Sequence, residues 1–179
     1  RGLGDVYKRQ VLMRRKSFGS ALAKVPENGS LADYEDALDR HYYAASQRAL
    51  LQSKGAPARF LSRLFAAEID HKNIVNILEA NAVGIDNERL VTLLIPGGRL
   101  VPKRAFSTIA SGGKEAMLDM LRAGDQFDNA SFEAVLDEAE TSRSLDPVVT
   151  WMKAREYAMM QRMTVSYTHL RAHETVTYL

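Results

Sequence analysis

The chain has 179 residues, 46% hydrophobic and 26% charged, with 24 basic against 22 acidic side chains and no cysteine. This is the composition of a globular domain long enough to bury a core without a disulfide or structural metal, not of a disordered tail or a fibre. The lack of cysteine excludes a disulfide framework and any thiolate-held zinc or iron–sulfur site, and the charge balance gives little support to binding nucleic acid or anionic lipid.

Taken in chain order, the first and last segments stand apart. Residues 1–10 (RGLGDVYKRQ) and 165–179 (VSYTHLRAHETVTYL) resemble translated sequencing-adapter read-through. They are expected to be non-native, irregular or loosely attached, and without a packed role. Setting aside Arg1, Lys8, Arg9 and Arg171 with Asp5 and Glu174 removes four basic and two acidic residues, so that 20 of each remain. The remainder is neutral. No apolar run is long enough to span a bilayer, so any link to a membrane is expected to run through a partner.

Between those ends the pattern is helical, with apolar residues recurring at three and four and no alternating run bounded by hairpin turns. A lead-in helix is expected within 11–29, closed by Asn28-Gly29. Ser30 with Asp33 three residues on reads as a capping box that opens a helix to about residue 53. Leu38, Tyr42, Ala45, Ala49 and Gln52 share one face of it. Lys54-Gly55 ends that helix, and Pro57 sits in the first turn of the next, which runs to about residue 82 with Gly84 as its stop. Asp86 caps a short helix over 87–95. Pro96-Gly97-Gly98 cuts it, because proline lacks a donor and the glycines favour positive φ. Further helices are expected over 103–111, then 114–123 after Gly112-Gly113, then 131–143. Asp146-Pro147, a cap followed by a helix-starting proline, opens the last, to Met163. The expectation is an all-α bundle or repeat of roughly seven helices on short connections. Its domains are a complete helical repeat over 30–112 and a partial second repeat over 113–164.

Three stretches carry a family resemblance: Ala37-Leu38-Asp39-Arg40-His41-Tyr42-Tyr43; Ala67-Glu68-Ile69-Asp70-His71-Lys72-Asn73-Ile74-Val75-Asn76-Ile77-Leu78 with Gly84 beyond it; and Leu94-Ile95-Pro96-Gly97-Gly98-Arg99-Leu100. In this order and spacing they resemble the C subunit of the V/A-type rotary ATP synthases, known as the d subunit in the vacuolar enzymes. The resemblance implies a funnel of three related helical domains without an active site or cofactor. Proteins of that family are seated on the membrane proteolipid ring, receive the central shaft formed by the D and F subunits, and pass torque between them for proton or sodium transport. By the same comparison the chain is expected to lack the first domain and the end of the last.

The polar residues admit a sharp and a bland reading. Glu68, His71 and Lys72 lie on one helix flank, but an acid and a histidine without a nucleophile, second base or phosphate loop do not make a mechanism. The structural reading pairs Glu68 with Lys72 and turns Asp70 and Asn73 to polar backbone at a helix junction. An internal duplication that lays Glu68 over Glu156 adds Glu156 to this polar motif. Pro96-Gly97-Gly98 lacks the spacing and the preceding strand of a phosphate loop. With Arg99, Lys103 and Arg104 it forms an exposed, turn-rich, mildly basic candidate partner surface. His169, His173 and Glu174 are spaced like metal ligands but fall in the tail that was set aside, leaving His41 and His71. Trp151, Met152, Met159, Met160 and Met163 give the last helix an apolar end. The competing reading, from a different class, is a helical-repeat scaffold for a protein partner unconnected with ion transport.

Overall fold

The computed structural model describes residues 19–176 apart from 24, 26, 27, 125 and 126, with side chains to residue 165 except at position 87. The expectations for 1–10, 177–179, His169, His173 and Glu174 concern positions or side chains outside that description. Among the described residues there are seven α-helices and no strand, so the all-α reading holds. The chain divides into two units, 1–52 and 53–179.

In the first unit α1 (Gly19–Leu22) precedes α2 (Leu31–Gln52) and packs on it. Of the expected lead-in helix, only this single turn is helical within the described residues. The capping box is present in short form: the Ser30 N–H donates to Asp33 Oδ2 at 2.8 Å and the Asp33 N–H to Ser30 Oγ at 3.3 Å. The five residues that share one face of α2 are half-buried or exposed. Tyr42 is 49% exposed, whereas the buried positions are Ala37 and Tyr43. Apolar residues surround more than one side of α2, so spacing alone does not select the covered flank.

The second unit is built on α3 (Ala56–Val83), which packs against α4 (Asn87–Leu93), α5 (Phe106–Arg122) and α7 (Asp146–Val176). Gly55 at φ 95° and Pro57 in the first turn start α3; Gly84, left-handed at φ 68°, stops it by donating to the Ala80 carbonyl. Asp86 caps α4 by accepting the Arg89 N–H at 2.9 Å. This helix ends at Leu93 rather than Ile95, because Ile95 precedes a proline and its backbone groups bond to the side chain of Asn73. A 3-10 turn (Lys103–Ala105) then leads into α5, so the helix expected from residue 103 starts three residues later. Gly113, at φ 55° and ψ −137°, breaks α5 where two helices were expected.

Asp128 caps α6 (Asn129–Ser142), which starts two residues before the expected Ser131. Arg143 closes it in the left-handed region. Before α7, Ser144 Oγ accepts the Asp146 N–H at 3.1 Å and the Leu145 carbonyl accepts the Val149 N–H, so Asp146 lies inside the helix instead of capping it. Beyond Met163 the helix runs on to Val176, so the backbone over 165–176 is regular. No glycine or proline follows Pro147 to stop it. One core joins Ile74 and Ile77 of α3, Ile109 and Met117 of α5, Phe132 of α6 and Met152 of α7. It runs across the repeat boundary expected between 112 and 113.

Candidate functional site

On α3 the residues at i, i+3 and i+6 from Asp70 are polar, while Ile69, Ile74 and Ile77 are fully buried beside them. That stripe faces the segment between α4 and α5. Asn76 Nδ2 donates to the Leu93 carbonyl at 3.0 Å. Asn73 makes a two-way pair with Ile95, accepting its N–H at 2.7 Å and donating to its carbonyl at 2.8 Å. Asp70 accepts three successive N–H groups, from Arg99 on one oxygen at 2.9 Å and from Leu100 and Val101 on the other at 3.0 and 2.9 Å.

Asp70 and Asn73 are the buried polar residues among those described, at 2% and 0% exposure. Each therefore needs its partners inside the fold. Burial pushes the Asp70 carboxyl above its ordinary value, while the three N–H donors and the charge of Arg155 oppose that rise. A Cβ on Gly98 would collide with Asp70 Oδ1, so only glycine lets the turn close onto the carboxylate. Gly97 is at φ 118°. Pro96, Gly97, Arg99, Lys103 and Arg104 are exposed on the outside of this turn and Gly98 is half-buried. The clamp and the candidate rim are thus the two sides of one segment.

The remaining motif residues are placed apart from the clamp. Glu156, on α7, meets His71 of α3, with Nδ1 and Oε1 2.7 Å apart. A contact of that length requires one proton between the two atoms. Glu68 and Lys72 are half-buried on α3. Sequence reasoning brought Glu156 in through the duplication and missed its partner. It also missed Asn76, although the three-residue spacing from Asn73 signals it.

Between α3, the clamped turn and α7 lies a cleft of about 620 Å³. Arg63, Arg99, Arg155 and Arg162 line it, with Leu100, Trp151, Met159 and Met163 as apolar wall and Asp70 and Asp128 as its acids. The Arg155 guanidinium stands 5.3 Å over the Phe127 ring. Sequence reasoning missed this cleft, whose arginines come from three separate segments. Among the described side chains no three potential ligands gather around a metal position, and no described helix is long and apolar enough to cross a membrane.

A long helix braced to three others, with its buried polar groups spent on backbone, defines an all-α module. The model of the ATP synthase (C/AC39) subunit family matches residues 10–171, and the chain belongs to that family. The match overlaps both terminal segments that were set aside. The chain is 28% identical over 137 residues to the A-type ATP synthase C subunit of Pyrococcus furiosus, covering 75% of this chain and 35% of that protein. To the A-type ATP synthase C subunit of Thermococcus onnurineus it is 29% identical over 117 residues, covering 65% of this chain and 32% of that one. The chain thus spans about a third of the length of these curated relatives. No solved structure matches.

Proposed function

We propose that the chain serves as part of a non-catalytic adapter in the central stalk of a V/A-type rotary ATPase. It would link the rotating shaft, formed by the D and F subunits, to the proteolipid ring that carries protons or sodium ions. The adapter would lie peripherally on the cytoplasmic face of the membrane. The observation that carries this reading is the family match over residues 10–171. The geometry supports it: torque must pass through a body that does not yield, and α3 is tied to α7 by His71–Glu156 and to the 93–101 segment by Asp70, Asn73 and Asn76. The rim at Pro96, Gly97, Gly98, Arg99, Lys103 and Arg104 is the partner surface we assign, a turn held rigid from behind.

The test is to rebuild the longer protein around this segment and purify it from cells. Proteolipid and shaft proteins should come down with it, whereas a free-standing scaffold would bring neither. Arg99→Glu with Lys103→Glu should leave folding intact and weaken binding to ring or shaft at low salt more than at high salt, where charge is screened. Unchanged affinity for both partners at every salt concentration would remove this rim from the interface.

A further inference from the structure

The cleft between α3 and α7 shares Arg99 with the rim but adds an apolar wall of Leu100, Trp151, Met159 and Met163. Four arginines and two aspartates line the cleft, and since Asp70 and Glu156 both act on the charge of Arg155, the excess positive charge rests chiefly on Arg63, Arg99 and Arg162. Both aspartates are already engaged: Asp70 by the turn's N–H groups and Asp128 by the Ser131 N–H at 3.1 Å. Arg155 and Arg162 stand seven residues apart on α7, about 10 Å along the axis at 1.5 Å per residue, with Met159 between them. Arg63 faces the same space from α3 and Arg99 from the turn.

We infer that this cleft is a docking groove for an acidic amphipathic helix of a protein partner. Carboxylates two turns apart on that helix would meet the guanidinium groups, each able to bind a carboxylate through paired N–H donors. An apolar residue between them would lie on Met159 and Trp151. Methionine suits such a surface because its unbranched thioether adapts to the shape laid against it. A compact polyphosphate fits less well: the cations are spread along two helical turns, and the apolar wall would remain bare. The proposal goes beyond the adapter reading and stands on the cleft alone.

Trp151 is the chain's single tryptophan and lines the groove, so its fluorescence reports on occupancy. The probe is a synthetic helical peptide with glutamates seven apart and leucines between them, titrated into the 179-residue chain. Its lysine-for-glutamate counterpart, a scrambled acidic peptide and inorganic triphosphate are the comparisons. The acidic helix should shift the emission saturably, and salt should weaken its binding. Arg63→Glu with Arg162→Glu, both at exposed positions, should weaken it at least about tenfold. Arg63→Gln alone gives a smaller loss in the same direction and keeps the test open should the double variant misfold. No response, equal binding by the lysine or scrambled peptide, tighter binding of triphosphate, or full affinity in the folded arginine variants would each overturn the proposal. The assay contains no other protein of the rotary complex, so its failure leaves the adapter reading untouched, and failure to co-purify ring and shaft leaves the groove untouched.

Discussion

The connection between α4 and α5 and the one between α5 and α6 solve the same problem with opposite chemistry. In the first, residues 94–102, buried polar side chains of α3 reach out and take the backbone of the turn. In the second, the turn supplies its own anchor. Phe127, just before the cap Asp128, packs edge-on against Phe132 near the start of α6 at 5.1 Å and against Trp151 of α7 at 5.4 Å. This is a hydrophobic staple, which fixes the angle at which the chain enters a helix. The polar anchor sets three N–H groups individually and pairs both backbone groups of Ile95, whereas the aromatic one fixes only a direction. The first kind therefore holds the backbone of its turn in more places than the second.

Cutting each anchor tests that difference. The largest effect is expected at the aromatic one: Phe132→Ala should cost about 3–5 kcal/mol, the cost of emptying a packed ring site. Denaturant unfolding should register the loss over the whole second unit, since Phe132 belongs to the core that joins its helices. Asp70→Ala should cost less, about 2–3 kcal/mol, because Arg99 is exposed and water can replace part of what is lost. Hydrogen exchange should then accelerate at the amides of Arg99, Leu100 and Val101 well before the rest of the chain. If protection falls uniformly instead, the polar anchor is not local.

Asn73→Leu follows at about 1–3 kcal/mol, by leaving the Ile95 N–H and carbonyl unpaired inside the fold. A neutral result by thermal or denaturant melting would mean that those backbone groups find other partners. His71→Ala, which unties α3 from α7 at a half-buried pair, should cost about 1 kcal/mol.

The smallest effect separates the two aspartates by sign. Hydrogen bonds from Ser131 hold Asp128 below its ordinary 3.8. Its contribution to stability is therefore present above pH 3.8 and lost as pH falls through the lower folded value. Asp70 is displaced upward by burial, so its contribution is greatest below 3.8 and declines as pH rises through the raised folded value. Asp128→Asn keeps an oxygen on the cap and should remove only the acid-side loss. Melting curves taken across the acid range would show a flatter limb in the variant; an unchanged limb would take Asp128 out of the acid response.

What could be read from the sequence follows from how local each feature is. Helix limits at Ser30, Gly55, Gly84, Asp86 and Gly113 are legible because caps and glycines act within a few residues. That Asp70 and Asn73 turn toward backbone is legible because two polar residues interrupt a face of isoleucines. The covered side of α2 is not legible, since its apolar residues leave more than one flank available. His71 and Glu156 are 85 positions apart, and only the packing of α7 on α3 brings them together. The arginine groove is harder still, because no two of its three contributing segments adjoin in sequence.

Gly98 carries a consequence for descent. With no room for even a methyl group between the turn and Asp70 Oδ1, positions 70 and 98 are not free to drift independently. A lineage that acquires alanine or anything larger at 98 should have given up the carboxylate at 70, and one that has lost the carboxylate no longer needs the glycine. The two positions should therefore change as a pair across related sequences, although they stand 28 positions apart.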